Sequence, residues 1–348
     1  MSTLKTKNIQ HPSASGPAIA LNPNGTFTAD IEDLSAESLH GGTFSLRNKL
    51  INGSFDIWQR GTNFSGNLYT ADRWKTWESG DAVATTRVFG PQGTTYGISF
   101  DRACTFQQPI ELPLVGKAGE FYNGSTWVLS WYSTSSNVSD FIVEVSFRDY
   151  PYDGTNTVMN TVGSISVAET VGSWTRFKVE VTIDQDPVGT NECLCVFVSP
   201  QTALSLSGIQ FEKGGLTALE VRPKGMELSL CQRYFIRLNY PDSSYAALGS
   251  LQSSASPRGA VIHYPVSMRK PALAADVTFS GVGTTPGNLT FLQPNTANPT
   301  TLGSLVGLGN STESLHVYGN GFTSIGSIGQ TSVLYAYAGS WIEITAEF

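Results

Sequence analysis

Two segments in which every second residue is apolar constrain the fold of this chain most strongly. Asp140–Arg148 (DFIVEVSFR) has its phenylalanines and valines on one face, and Trp174–Ile183 (WTRFKVEVTI) repeats the pattern with Arg176, Lys178 and Glu180 on the opposite face. A period of two residues is typical of a β-strand with one packed and one solvated face. The pattern predicts antiparallel sheets with these three charged side chains in water.

Similar segments recur along the chain with turn residues between them. Charged residues make up only 14% of the chain and there are 35 glycines, a composition typical of all-β proteins and not of helical bundles. We therefore predict an all-β fold with an extended N-terminal arm, a jelly-roll β-sandwich and a C-terminal β-domain. Further strands are predicted at 83–89, 96–101, 105–112, 126–132, 193–199 and 206–212 in the sandwich, and at 260–268, 314–318, 332–337 and 341–348 beyond it.

Residues 1–47 are expected to form an arm and not a domain, because their few apolar residues cannot build a core. The sequence NPNG at Asn22–Gly25 predicts a turn between two short extended runs, and IEDLSAESL could form one or two helical turns. Such an arm either remains a flexible leader or becomes ordered by wrapping around identical arms or docking on a larger assembly. The predicted domains that follow are a jelly roll at 48–240 and a C-terminal domain at 241–348.

The C-terminal domain is predicted to carry long loops. Residues 241–259 have a loop composition, and residues 280–329 are rich in Gly, Thr, Asn and Pro with little charge. Loops on a rigid scaffold can vary in sequence without disturbing a core. The domain is therefore a candidate for the distal, receptor-binding tip.

Residues 208–235 (GIQFEKGGLTALEVRPKGMELSLCQRYF) predict a junction between the two β-domains. They begin as a strand, pass through glycines and a proline, and end in a helical segment. In that segment Met226, Leu230 and Tyr234 fall four apart and predict one apolar helix face.

Four motifs, taken together and in this order, resemble a signature of tail-fibre and other appendage proteins of tailed bacteriophages. They are NKLINGSFDIWQRG with YTADRW in Asn48–Trp74, the "RP…ELSLCQRY" string in 208–235, PVSMRKP at 265–271 and WIEITAEF at 341–348. The resemblance implies a structural protein of the virion, generally a homotrimer. It also implies a central jelly roll similar to the carbohydrate-binding modules attached to glycosidases. It does not imply a particular ligand.

The first of these motifs, Asn48–Trp74, is termed the opening segment below. We expect Asn48–Ile57 to be a strand that pairs near Ile209–Phe211, which would bring two motifs side by side. Arg60 and Arg73 are predicted to bind backbone or an acid such as Glu212. The tryptophans in or beside this segment are predicted to be structural: Trp58, Trp74 and Trp77.

A structural calcium ion is a further expectation, because related jelly rolls hold one near the opening strand. The carbonyl groups of Asn52–Ser54, together with Asp56 or Glu212, could supply the hard oxygen ligands that calcium prefers. The sequence has no diagnostic calcium loop, and it predicts no other metal or cofactor.

Charge and hydropathy exclude two classes of partner. The net charge is −7 and no cluster of Lys and Arg offsets it, so nucleic acid is not expected to bind. The longest apolar run, Cys193–Val198, is too short to cross a bilayer, and Met1–Gln10 has no leader pattern, so synthesis in a host cytoplasm is expected. The scattered positions of the four cysteines predict buried free thiols and neither a disulfide framework nor a zinc site.

Aromatic residues on the sandwich predict sugar binding, since aromatic rings stack on the apolar faces of pyranoses. Trp127, Trp131 and Tyr132 share one strand, and Tyr150 and Tyr152 lie in the turn after a neighbouring strand. These five residues are the candidate carbohydrate-binding residues. The alternative is that the two tryptophans belong to the sandwich core.

No catalytic pattern is visible in the sequence. Nucleophile elbows and phosphate loops are absent, and Asp140 and Glu144 lie about 13 Å apart on one strand, too far to act as a glycosidase pair. We therefore predict a non-enzymatic tail fibre that attaches to other virion tail proteins through its arm and adheres to a host-surface polysaccharide or lipopolysaccharide. The alternatives are a purely architectural capsid fibre or tail adaptor, and a glycan depolymerase.

Overall fold

The computed structural model describes residues 8–9, 19–21, 27–29, 46–78, 80–149, 157–251, 258–282, 287–292, 304–308, 311–320 and 331–348. The chain divides into two compact units, Met1–Phe44 and Ser45–Phe348. In the first unit, three short antiparallel strands form a sheet: β1 (Asn8–Ile9), β2 (Ile19–Leu21) and β3 (Phe27–Ala29). The last two are the extended runs predicted on either side of NPNG. That turn and the segment IEDLSAESL lie outside the described residues.

The second unit begins with a β-sandwich of two antiparallel sheets. One sheet has the strand order β11-β10-β15-β8-β5, and the other has the order β12-β14-β9-β16-β7-β6-β4 with β13 paired to β14. The strands are β4 (Asn63–Ser65), β5 (Lys75–Trp77), β6 (Ala84–Phe89), β7 (Tyr96–Phe100), β8 (Thr105–Glu111), β9 (Thr126–Ser133), β10 (Phe141–Arg148), β11 (Val158–Met159), β12 (Thr161–Val162), β13 (Ser166–Val171), β14 (Trp174–Thr182), β15 (Cys193–Pro200) and β16 (Leu204–Lys213). A 3₁₀ turn, Val138–Asp140, precedes β10.

The core of the sandwich consists of the apolar faces that the sequence alternation predicts. Val145 and Phe147 of β10 and Phe177 and Val179 of β14 are buried between the sheets. Arg176 was predicted to lie in water, and this prediction is wrong. It is buried, because its guanidinium donates to Ser130 Oγ (3.1 Å) and to the Thr217 carbonyl (3.0 Å).

Residues Asn48–Ile57 of the opening segment lie against β16 as predicted, but without forming a strand. The Lys49 amide donates to the Phe211 carbonyl (2.8 Å), and the Ile209 amide donates to the Gly53 carbonyl (2.9 Å). The Asn48 side chain accepts from the Phe211 amide and donates to the Ile209 carbonyl, each at 2.9 Å. Side-chain bonds therefore replace the regular ladder that two paired strands would form.

A single α-helix, α1 (Lys224–Gln232), follows β16 among the described residues. The predicted apolar face of Met226, Leu230 and Tyr234 is wrong, because Met226 is exposed and Tyr234 lies beyond the helix end. The helix instead buries Glu227 and Cys231. Glu227 is tolerated there because its carboxylate accepts from the Asn52 amide and is paired with an arginine.

The remaining strands form two further antiparallel sheets around a separate cluster of buried apolar residues. One sheet has the order β17-β25-β20 and the other the order β21-β24-β18-β19-β23-β22. The strands are β17 (Phe235–Tyr240), β18 (Ser244–Leu251), β19 (Arg258–His263), β20 (Val277–Phe279), β21 (Leu289–Leu292), β22 (Ser304–Leu308), β23 (Ser314–Asn320), β24 (Thr331–Ala336) and β25 (Ser340–Thr345), with a 3₁₀ turn at Ala274–Asp276.

The predicted loop at 241–259 is therefore wrong in part, because β18 pairs with both β19 and β24. The predicted loop region at 280–329 likewise contains β21 and β22, which were not predicted, whereas β23 matches the strand predicted at 314–318. Strand β17 pairs with β25, so the C-terminal sheets begin before residue 240. The predicted domain boundaries and the role of the domain as a distal tip stay predictions.

The all-β prediction is confirmed, with a jelly-roll sandwich as the main element. All four cysteines are buried free thiols, as predicted. No helix in the described part of the chain has the length and apolar character needed to span a bilayer.

Candidate functional site

The predicted sugar-binding tryptophans lie in the core, so this prediction is wrong for Trp127 and Trp131. Both have no exposed surface. Trp127 stacks on Phe211 with ring centroids 5.1 Å apart, and Trp131 stacks on Phe177 at 5.7 Å. A ring enclosed between two sheets cannot offer its face to a sugar.

Tyr132 lies on the other face of β9, but it is also buried. Its hydroxyl donates to Glu169 Oε1 (2.7 Å), and the guanidinium of Arg176 lies 5.4 Å from its ring centroid. Burial and the bond to Glu169 raise the pKa of Tyr132 to about 12. The side chain is therefore engaged within the protein and does not form a binding platform. Tyr150 and Tyr152 lie outside the described residues.

A groove of about 770 Å³ lies on the outer face of the five-stranded sheet. The strand registers place its residues in rows that cross the sheet. One row runs from Lys75 through Gln107 and Phe197 to Glu144. The groove is also lined by Trp77 on the edge strand β5 and by Ile142 on β10, which form its two opposite walls.

The floor of the groove is buried and its walls are exposed. Trp77 and Ile142 expose 49% and 57% of their surface, whereas Phe197 on the floor exposes 5%. Three inter-strand spacings separate β5 from β10, which makes the groove about 14 Å wide at its base. Trp77 was predicted to be structural, and this role stays a prediction because the side chain is half exposed. Its exposed indole is an aromatic surface that a ligand in the groove could contact.

One end of the groove is closed by the C-terminal segment of the chain. Phe348 lines the groove and belongs to a cluster of buried residues with Cys193, Cys195, Phe197 and Tyr234. The Tyr69 hydroxyl donates to the Phe348 carbonyl at 2.9 Å and holds this segment against the sandwich. The exposed side chains of Trp77 and Ile142 lie toward the other end of the groove.

Charged and polar side chains line both sides of the groove. On β10, Glu144 accepts from Ser146 Oγ (2.8 Å) and pairs with Arg148, whose guanidinium lies 4.5 Å from the Phe197 ring centroid. On β5, the Lys75 ammonium lies 5.5 Å from the Tyr69 ring centroid. The groove thus combines an exposed aromatic wall with hydrogen-bonding groups, the pattern that suits an amphipathic ligand such as a sugar.

Comparisons with known proteins assign no family to this chain. No family model matches it. No curated protein matches it. Among solved structures, the N-terminal CBM22-1–CBM22-2 tandem domain of Xyn10C from Paenibacillus barcinonensis aligns over 82% of this chain and 97% of its own, with 10% identity and a TM-score of 0.26. The family 11 xylanase from Neocallimastix patriciarum aligns over 45% of this chain and 98% of its own, with 9% identity and a TM-score of 0.24. Both scores are low, so neither likeness bears on what the groove binds.

Two buried thiols lie on the groove floor. Cys193 and Cys195 lie on the same face of β15 with their sulfur atoms 3.6 Å apart. Their mutual hydrogen bond and burial raise the pKa of the Cys193 thiol well above its ordinary value. Thiols are nucleophiles and metal ligands only as thiolates, so Cys193 acts as packing. No group of three or more potential metal-ligating side chains occurs among the described residues.

Of the expected calcium ligands, Asn52, Gly53, Ser54 and Asp56 line one small pocket, and Glu212 is not among its lining residues. Glu212 accepts from Gln210 Nε2 (2.7 Å) and from the Thr217 amide (2.9 Å), and these bonds hold it on the β16 side. Asp56 lies near Lys224, and burial raises its pKa. Calcium binding at Asn52–Ser54 stays a prediction.

A buried ionic cluster joins the opening segment to the residues after β25. We call this cluster, formed by Arg60, Asp72, Arg73 and Glu347, the joint. Arg60 and Arg73 bind an acid as predicted, and this acid is Glu347 and not the suggested Glu212. Arg73 also donates to the Pro109 carbonyl (2.6 Å), and Arg60 lies 3.7 Å from Asp72. The joint has a structural role, because its groups are paired with one another and not directed into the groove.

Proposed function

We propose that this protein binds a glycan in the groove of the five-stranded sheet. The observation that carries the proposal is Trp77, a half-exposed indole on the wall of a groove whose floor and opposite side carry hydrogen-bonding groups. A pyranose ring that stacks on Trp77 would place its hydroxyl groups near Gln107 on the neighbouring strand β8. The groove width of about 14 Å accommodates one polysaccharide chain that runs along the strands.

We further propose, from the sequence resemblance, that the protein is an appendage of a tailed phage. In this proposal the arm of residues 1–47 attaches to other tail proteins, three copies form the fibre, and the ligand is a host-surface polysaccharide or lipopolysaccharide. Three weak grooves on one particle would gain avidity, so a single groove needs only modest affinity.

Binding to an array of bacterial capsular polysaccharides and lipopolysaccharides tests the groove. Trp77→Ala is expected to lower affinity for the bound glycans at least 10-fold, while leaving the fold intact because the side chain is half exposed. Phe89→Ala is the matched control, since Phe89 is an aromatic residue that is 83% exposed on the other sheet and is expected to leave binding unchanged. Equal binding by wild type and Trp77→Ala would refute the groove as the site.

An architectural role as a capsid fibre or tail adaptor is the second candidate, and one observation favours it. The motifs that resemble phage appendage proteins mostly build the joint, and of the groove lining they supply Tyr69 and Phe348. The resemblance therefore concerns the scaffold more than the ligand site. Wild-type protein that binds no glycan on the array but is found on labelled virions would establish this alternative.

A depolymerase is the third candidate, because Glu78, Glu144 and Asp149 line the groove. Glu144 already accepts bonds from Ser146 and Arg148, which favours a role in binding. Measurement of reducing ends released from any glycan that binds separates a binding protein from an enzyme. A steady release that stops in Glu144→Gln would establish hydrolysis.

A further inference from the structure

The ammonium group of Lys75 is the one groove charge whose position suggests what kind of glycan binds. Lys75 and Trp77 lie on the same face of β5, and both line the groove. The Lys75 ammonium is 5.5 Å from the Tyr69 ring centroid, a contact that positions the charge without neutralising it. Among the described residues, no carboxylate lies within ion-pair distance of it.

The other charged side chains that line the groove either have partners within the protein or lie away from the Lys75 ammonium. Arg148 pairs with Glu144 on β10, and Asp149 accepts from Asn191 Nδ2 (2.8 Å). Glu78 follows Trp77 at the end of β5, and its backbone bonds the Asn67 side chain. Lys75 and Glu144 occupy opposite ends of one row, three strands apart, so the Lys75 ammonium lies at the β5 end of this row, away from the Glu144–Arg148 pair on β10.

The distance between Lys75 and Trp77 suits a sugar whose ring stacks on the indole and whose carboxylate reaches the ammonium. Residues two apart on a strand lie about 7 Å apart on the same face. A hexuronic acid carries its carboxylate one bond outside the pyranose ring. A ring stacked on the Trp77 indole therefore directs its carboxylate toward the Lys75 ammonium, which reaches it on a flexible four-carbon stem. A neutral sugar would leave this half-buried charge without a partner.

We propose that the groove selects acidic glycans, with the carboxylate of a uronic or similar acidic sugar paired to Lys75 while its ring stacks on Trp77. This inference rests on the proposed glycan binding and adds the ligand class. A hydrogen-bonded pair between an ammonium and a carboxylate is strong in a partly desolvated groove, so Lys75 supplies selectivity and Trp77 supplies affinity for any pyranose chain.

Matched pairs of oligosaccharides test the ligand class. The probes are tetrameric oligomers of galacturonate, glucuronate, mannuronate and sialate, each compared by calorimetry with its methyl ester, which has the same rings without the charge. We expect at least one acid to bind wild type roughly 10-fold tighter than its ester. Lys75→Gln is expected to remove this preference, Lys75→Arg to retain it, and Trp77→Ala to weaken acid and ester alike.

The outcomes separate this inference from the proposed function. Esters that bind as tightly as acids, or a preference that survives in Lys75→Gln, would overturn the inference and leave glycan binding intact. Binding of no probe, together with no binding on the polysaccharide array, would overturn both. Affinity for the acidic probe that falls with added NaCl in wild type but not in Lys75→Gln supports a direct ion pair.

Discussion

Substitution of Glu347 by Ala is the strongest test of the joint. Side chains of Glu347 and Arg73 expose only 4% and 1% of their surface, and Arg60 bonds the same carboxylate at 3.2 Å. Burial alone would lower the pKa of Arg73, but the Glu347 carboxylate raises it above its ordinary value. Arg73 therefore stays charged, and removal of Glu347 leaves that charge in the protein interior.

The magnitude follows from what remains after the substitution. Arg73 keeps its bond to the Pro109 carbonyl and its stacking on the Tyr234 ring, 3.5 Å from the centroid, and Arg60 keeps its contact with Asp72. These contacts do not replace the lost carboxylate. Breaking a buried pair typically costs about 3–5 kcal/mol, so we expect the free energy of unfolding to fall by that amount.

Urea unfolding followed by tryptophan fluorescence measures this loss. Asp81→Ala is the control, because its pair with Arg102 is exposed and is expected to change stability by less than about 1 kcal/mol. The double variant Arg73→Met with Glu347→Leu removes both charges and is expected to recover most of the loss. If Glu347→Ala were as stable as Asp81→Ala, the joint would not contribute to stability and its assigned role would be wrong.

Three further predictions concern stability. Burial outweighs the contacts with Arg60 and raises the pKa of Asp72 from 3.8 to about 6, so its contribution to stability is full below pH 3.8 and is lost as pH rises through 6. The urea stability of wild type relative to Asp72→Asn should therefore fall by about 2 kcal/mol between pH 4 and pH 7. A Cβ at Gly53 would lie 2.1 Å from the Ile209 carbonyl oxygen, so Gly53→Ala should cost about 2 kcal/mol by the same assay, whereas the open Gly80→Ala should be neutral. Trp127→Ala should lower stability by about 3–5 kcal/mol in urea and leave glycan affinity per folded molecule unchanged, since the side chain lies in the core.

Most sandwich strands could be predicted from the sequence, because alternation of apolar and polar residues reports directly on a sheet with one packed face. The failures occur where a polar side chain is buried with a partner. The alternation placed Arg176 on the solvated face, yet the side chain is buried and its guanidinium donates to Ser130 and to the Thr217 carbonyl. The helix buries Glu227 and not the predicted apolar face for a similar reason. The partner of Glu227 is Arg222, and only the tertiary structure shows this pairing.

The candidate site was harder to predict than the fold. Periodicity shows that Trp127 and Trp131 share a face, but not whether that face points into the core or outward, and these residues point inward. Trp77 carried the same ambiguity on a strand of only three residues. The sequence did contain a signal that Trp77 faces outward. Lys75 shares its strand face, and lysine is rarely buried in a core.

The joint and the groove are linked through consecutive residues, and this link determines how the two candidate functions can be separated. Arg73 is held in the joint with a left-handed backbone (φ 73°), Trp74 stacks on Phe106 at 4.9 Å in the core, and β5 with its groove residues starts at the next position. At the other end of the chain, Glu347 belongs to the joint and Phe348 lines the groove. A damaged joint is therefore expected to displace groove walls, whereas Trp77→Ala leaves the joint untouched. Loss of glycan binding in Glu347→Ala would report on the scaffold, and only variants of Lys75 and Trp77 report on the ligand.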